Sequence, residues 1–88
     1  MTTMPSVQVD VRYFAAARAA AGREVETVSM PAGTTFAGLV AELSGRDGAL
    51  ARVLKRCSFL CDGVAVRERA VALSPGQTID VLPPFAGG

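Results

Sequence analysis

The chain contains no histidine and no tryptophan, two cysteines, and only 6% aromatic residues. Without histidine it lacks the side chain that most often shuttles protons or holds metal near neutral pH. Cys57 and Cys61 have no histidine and no second cysteine pair around them, which argues against zinc. Placed on one strand, at about 3.3 Å per residue, their α-carbons would stand roughly 13 Å apart, too far for a disulfide. Buried free thiols in a reducing compartment are the expectation. Charge is nearly balanced, 9 basic against 8 acidic residues for a net +1. There is neither a basic stripe for nucleic acid nor a long acidic block. The nearest approach to a charge run is Arg52, Lys55 and Arg56, at the spacing of a solvated helix side, with contact to an acidic partner as the lesser alternative. The first residues carry no basic and apolar leader, and no apolar run approaches a membrane span. A soluble, cytoplasmic protein with no nucleic-acid or membrane partner is expected. No repeat or linker divides the 88 residues, half of them hydrophobic. One domain over residues 1–88 follows.

Elements can be read from periodicity. Val7, Val9, Val11 and Tyr13 alternate with polar residues, the mark of a strand with one buried face. Phe14 falls on the polar side, so either the strand ends there or an aromatic ring is exposed. Ala15 to Ala21 favours a short helix, with Gly22 as its stop. Arg23 to Met30 reads as a strand anchored by Val25 and Val28, whose odd spacing predicts a bulge or an early end. After a turn at Pro31-Ala32-Gly33, Thr34 or Thr35 caps a helix with Phe36, Leu39, Val40 and Leu43 on one face. Gly38 would allow this helix close packing on a sheet, and Gly45 would end it. Asp47 caps a further helical stretch carrying Leu50, Val53, Leu54 and Cys57. Asp62-Gly63 between apolar residues signals a two-residue hairpin. Ala70 to Leu73 reads as a single short turn. Ser74-Pro75-Gly76-Gln77 suits a type II turn. Thr78 to Leu82 forms the last strand, with Ile79 and Val81 on one face and Leu82 on the other. This order predicts an α+β fold: a mixed sheet with helices packed on one face, its last strand inside the sheet.

The terminal stretch, residues 82–88, is the one segment with the look of a reactive element. Pro83 and Pro84 fix φ and favour an extended exit, and Phe85-Ala86-Gly87-Gly88 ends on two residues without side-chain bulk. Such an end is either frayed or a working arm. Leu82 and Phe14, apolar on the outward side, favour the working arm, because apolar groups beside a functional arm mark contact surfaces. Val66, in the hairpin, is a third contact candidate.

Three further stretches join the tail in resembling a known family. They are Val11-Arg12-Tyr13-Phe14-Ala15-Ala16-Ala17-Arg18, the turn and helix from Pro31 to Leu43, and Leu73-Ser74-Pro75-Gly76-Gln77-Thr78-Ile79. With Pro83-Pro84-Phe85-Ala86-Gly87-Gly88 they resemble the ubiquitin-like β-grasp sulfur carriers, specifically the small subunits of molybdopterin synthase. The resemblance covers nearly the whole chain. It implies that a partner adenylates the Gly88 carboxylate with ATP and that a sulfur donor enzyme converts it to a thiocarboxylate. The sulfur then passes to a cyclic pyranopterin precursor in the active site of the large subunit, within a heterotetramer. On this resemblance Pro83, Pro84, Phe85, Ala86 and Gly87 enter partner active sites. Phe14, Val66, Leu82 and Arg18 contact partners, and the chain itself binds no cofactor or metal. Acid–base catalysis belongs to the partners. Two departures stand out: Gln77 where an acidic residue is usual, and the bulky Phe85. Other outcomes remain open: a carrier serving thiazole or cysteine synthesis, a ubiquitin-like modifier, or an interaction module with an unstructured end.

Overall fold

The computed structural model describes residues 5–84. Strand β1 (Ser6–Tyr13) alternates strictly, with Val7, Val9, Val11 and Tyr13 buried and the residues between them exposed. Helix α1 (Ala15–Ala21) follows and stops at Gly22, whose left-handed backbone returns its N–H to the carbonyl of Arg18 at 2.9 Å. Glycine adopts that conformation without steric cost. Strand β2 (Val25–Pro31) pairs antiparallel with β1 in unbroken register from Ser6–Pro31 to Arg12–Val25. The bulge expected from the spacing of Val25 and Val28 is therefore absent from this pairing. Val25 faces outward, 54% exposed, and the inward place that apolar alternation would give an aliphatic residue is held by Glu26. Glu26 is tolerated there because Arg46, from the next helix, and Arg23 pair with it. A carboxylate out of water needs such partners.

Helix α2 (Phe36–Arg46) is capped by Thr35, whose hydroxyl accepts from the Gly38 N–H at 3.1 Å. It buries Phe36, Leu39 and Leu43. It runs through Gly45 and ends where Asp47 takes over as cap of helix α3 (Gly48–Leu54), accepting from Ala49 N–H at 2.7 Å. A side chain at Gly38 would press on Thr34 Cγ2 at 3.0 Å. Its smallness thus serves the cap and not, as anticipated, the sheet.

Strands β3 (Ser58–Cys61) and β4 (Val64–Ala65) flank the hairpin turn. Asp62 and Gly63 both have positive φ (49° and 84°), as a two-residue turn matching strand twist requires. Ala70 to Leu73 forms no helix; Ala72 bridges to Thr35, and Leu73 is buried. The Ser74–Gln77 turn places Gly76 at φ 80°. The Gln77 side-chain oxygen accepts the Ser74 N–H at 2.8 Å, so the amide closes this turn. Strand β5 (Thr78–Leu82) completes a five-stranded sheet of order β2-β1-β5-β3-β4, parallel to β1 and antiparallel to β3. The last strand is the central one. Ile79 and Val81 join the β1 valines, Phe59 and the helix residues Leu39, Leu43, Leu50 and Leu54 in one core. Phe36 and Phe59 meet edge to face at 5.1 Å. Full burial of each aliphatic side chain contributes about 1.5–3 kcal/mol, so this helix-covered face holds the fold together.

Candidate functional site: the open sheet face and the neck of the tail

Strand register defines the opposite face. Cα partners across neighbouring strands share a side of the sheet. One outward row therefore runs Val25, Arg12, Asp80, Leu60, Ala65 across all five strands. The next position holds Leu82 opposite Ser58, with Phe14 following Tyr13 past the end of β1. Phe14 resolves both alternatives left by its parity: the strand ends before it, and the residue is 39% exposed. Its N–H still donates to the carbonyl of Val81 at 3.3 Å, and its own carbonyl accepts from Ala17 at 3.0 Å. The aromatic is thereby fixed at the junction of sheet and helix. Ala15, next to it, adopts φ 50°, a left-handed conformation that costs a residue with a Cβ about 1–2 kcal/mol.

Arg12 and Asp80 form a bidentate pair at the centre of this face, Nε to Oδ1 at 2.6 Å and Nη2 to Oδ2 at 2.9 Å. The Asp80 side chain is 10% exposed and that of Arg12 51%. Hydrogen bonding to Asp80, and then its charge, pushes the guanidinium above its usual value. The same guanidinium lies 5.6 Å from the centroid of Phe14, a cation–π contact that braces the exposed ring. Leu60 and Leu82 are half-buried beside the pair. The result is a polar centre flanked by apolar side chains, on a face that no helix covers among the described residues.

The sequence-derived site residues separate. Phe14 and Leu82 come together on the open face. Val66 does not join them: it extends the hairpin opposite Phe59, donates its N–H to the Phe59 carbonyl at 2.9 Å, and packs against the core. Leu60 and Ala65 hold the outward positions of that hairpin. They went unnoticed, although the Asp62-Gly63 turn fixes the register and would have assigned them by counting. Arg18 is exposed on α1 and paired with Glu24 at 3.4 Å. Pro83 is buried and Pro84 exposed, so the chain leaves the body between the two prolines. Phe85, Ala86, Gly87 and Gly88 lie outside the described residues. The surroundings of the two thiols do not activate them. Burial pushes both up, Asp62 adds to the effect at Cys61, and Cys57 Sγ already donates to the Val53 carbonyl at 3.2 Å. The fraction present as reactive thiolate falls accordingly.

Helices on one face of a sheet whose central last strand carries the tail, with the other face open, define a ubiquitin-like β-grasp protein. The chain belongs to the ThiS family, whose model matches residues 11–88. Over 87 residues it is 33% identical to the molybdopterin synthase sulfur carrier subunit of Homo sapiens, covering 97% of this chain and 99% of that protein. Two solved structures share the fold. Subunit 1 and 2 of the molybdopterin-converting factor of Helicobacter pylori, solved as a complex, include a chain that matches with TM-score 0.71 and 23% identity, over 93% of this chain and 100% of that one. The small archaeal modifier protein 1 of Methanosarcina acetivorans matches with TM-score 0.79 and 24% identity, over 96% and 99%. Among the described residues no helix is long and apolar enough to cross a membrane.

Proposed function

We propose that this chain is the sulfur carrier subunit of a molybdopterin synthase, acting through the carboxylate of Gly88. The observation that carries this is a family match running unbroken from β1 through the tail, on a chain one-third identical to a sulfur carrier subunit along its whole length. The geometry supports it. A tail that must reach into another protein needs a rigid base, and β5, hydrogen-bonded on both sides, supplies one as far as the buried Pro83. Beyond it, Pro84 limits the conformations the arm loses on binding, and Gly87 and Gly88 present no Cβ to a narrow channel.

The chemistry falls into two transfers. A carboxylate is a poor electrophile, so an activating enzyme joins it to the α-phosphate of ATP and releases pyrophosphate. A sulfur nucleophile supplied by a donor enzyme then attacks the acyl carbon, and AMP leaves. The resulting thiocarboxylate is an anionic sulfur nucleophile at neutral pH; in the large subunit its sulfur bonds to the pyranopterin precursor, and water then cleaves the acyl–sulfur bond, leaving the sulfur on the precursor and returning the Gly88 carboxylate. The carrier contributes the reacting group and the docking face, Phe14, Leu60 and Leu82 around the Arg12–Asp80 pair. The partners contribute the acids and bases, and Arg18 offers them one further charged contact. All of this belongs in the cytoplasm, where ATP and reduced sulfur donors are available.

Removing Gly88, or adding one residue after it, tests the tail. Either change is expected to abolish sulfur transfer to the precursor in a reconstituted assay with the large subunit while leaving thermal unfolding unchanged. Persistent transfer would overturn the assignment. The similarity in fold to an archaeal modifier protein keeps a second function in view, amide attachment of Gly88 to lysines. A covalent ladder of conjugates in cells, with no thiocarboxylate on the free protein, would favour it.

A further inference from the structure

A second surface lies on the other side of the neck. Pro83 and Pro84 form one wall of a groove of about 680 Å³ between α1 and α3, whose other lining includes Ala16, Ala20, Val53 and Ala49. Its rim carries Arg52, Lys55 and Arg56, all exposed. No acidic side chain lines it among the described residues. Arg12, Arg18, Arg23 and Arg46 each have a carboxylate partner, whereas these three, like Arg67 and Arg69, have none among the described residues. What sets the three apart is that they gather on one groove. Cations near the end of α3 suit the helix dipole. That accounts for positive charge at this helix end, but not for its gathering around an apolar groove beside the tail.

We infer that this groove is a docking surface for an acidic, partly apolar segment of the protein that receives the tail, using Arg52, Lys55 and Arg56 as charge partners and Ala16, Ala20 and Val53 as floor. The inference rests on the carrier function of the tail. Its occupant follows from two facts: the charge of the rim, and the continuity of the groove with the neck. A protein that takes hold of the tail works beside this groove, because Pro83 and Pro84 line it together with the three cations. A nucleic acid fits less well, because three cations on a chain of net charge +1 give a short footprint. Charge at an interface rim acts mainly on the rate of encounter, and salt screens it.

The test measures association of the full chain with the large synthase subunit encoded by the same genome, at about 50 mM and about 300 mM salt. The triple variant Arg52→Gln, Lys55→Gln, Arg56→Gln should associate about tenfold more slowly at low salt and lose most of the salt dependence. Ala49→Glu, which leaves all three cations in place and adds a carboxylate at an exposed lining position, should slow association in the same direction. Thermal unfolding confirms that both variants are folded. Wild-type rates and salt dependence in both variants would overturn the groove inference and leave the carrier function standing. No association of the wild-type chain would overturn both. Binding of a labelled single-stranded oligonucleotide that the triple variant loses, with subunit association unchanged, would assign the groove to nucleic acid and overturn the inference.

Discussion

The two faces of the sheet are built from the same strands and differ in almost every property. The inward face is apolar apart from Glu26 and the Tyr13 hydroxyl, and is covered by α2 and α3. The outward face has an ion pair at its centre, flanking leucines and an exposed phenylalanine, and among the described residues no helix on it. Alternation along each strand ties the two together, since every inward valine forces its neighbours outward. The core and the face proposed for docking are thereby separated by one-residue steps: Val81 is buried in the fold, and Leu82 stands half-buried on the other side.

Substitutions on opposite faces should break or sharpen this contrast. The largest effect is expected inside. Leu39→Ala removes a fully buried side chain from the centre of the core and should cost about 2–5 kcal/mol of unfolding free energy, read by denaturant titration. A loss below 1 kcal/mol would mean that the core is looser than its burial implies.

The next effect depends on pH. Burial, with Glu26 adding to it against Arg46 and Arg23, pushes the Tyr13 hydroxyl up to about 12. The unfolded chain releases this proton near 10, so between about 10 and 12 the native state binds more protons and stability falls as pH rises. Wild type should lose up to about 3 kcal/mol across that window relative to Tyr13→Phe. The Tyr13 hydroxyl has no hydrogen-bond partner among the described residues, so the phenylalanine variant should fold normally below pH 10.

On the outward face Leu82→Asp should weaken binding to the large subunit by about 2 kcal/mol, the scale of an interface hot spot, with little change in the melting midpoint. Unfolding of this variant would show that Leu82 serves the core. The smallest effect is expected at Ala15. Relief of its left-handed backbone is worth about 1–2 kcal/mol, against about 0.5–1 kcal/mol for the freedom glycine gains in the unfolded chain. Ala15→Gly should therefore stabilise the protein slightly, by about 0.5 kcal/mol.

Much of the inward face could be read in advance. Strict alternation in β1, the 3.6-residue spacing in α2 and α3 and the Asp62-Gly63 turn each state one local rule that the fold obeys. The failures occur where tertiary partners decide. Val25 looked like an anchor because valine favours strands, yet Glu26 takes the inward place once Arg46 arrives from a helix 20 residues away. Local sequence gives no hint of that arginine. Val66 was grouped with Leu82 by closeness to the hairpin, when the hairpin register sets it opposite Phe59. The Arg12–Asp80 pair spans 68 residues and becomes visible only when β5 is placed parallel to β1. The resemblance of the tail to known carriers directed attention to Gly88. It gave no indication that Pro83 is buried, nor that a basic groove adjoins the neck.

The central claim is that Gly88 carries sulfur while the open face docks. It is tested most directly by the intact mass of the protein after co-expression with its activating enzyme and a sulfur donor. The expected result is a species heavier by the replacement of one oxygen with sulfur, located by fragmentation to Gly88 and missing when Gly88 is deleted. An unchanged mass under conditions where the activating enzyme turns over ATP with this protein would contradict the account.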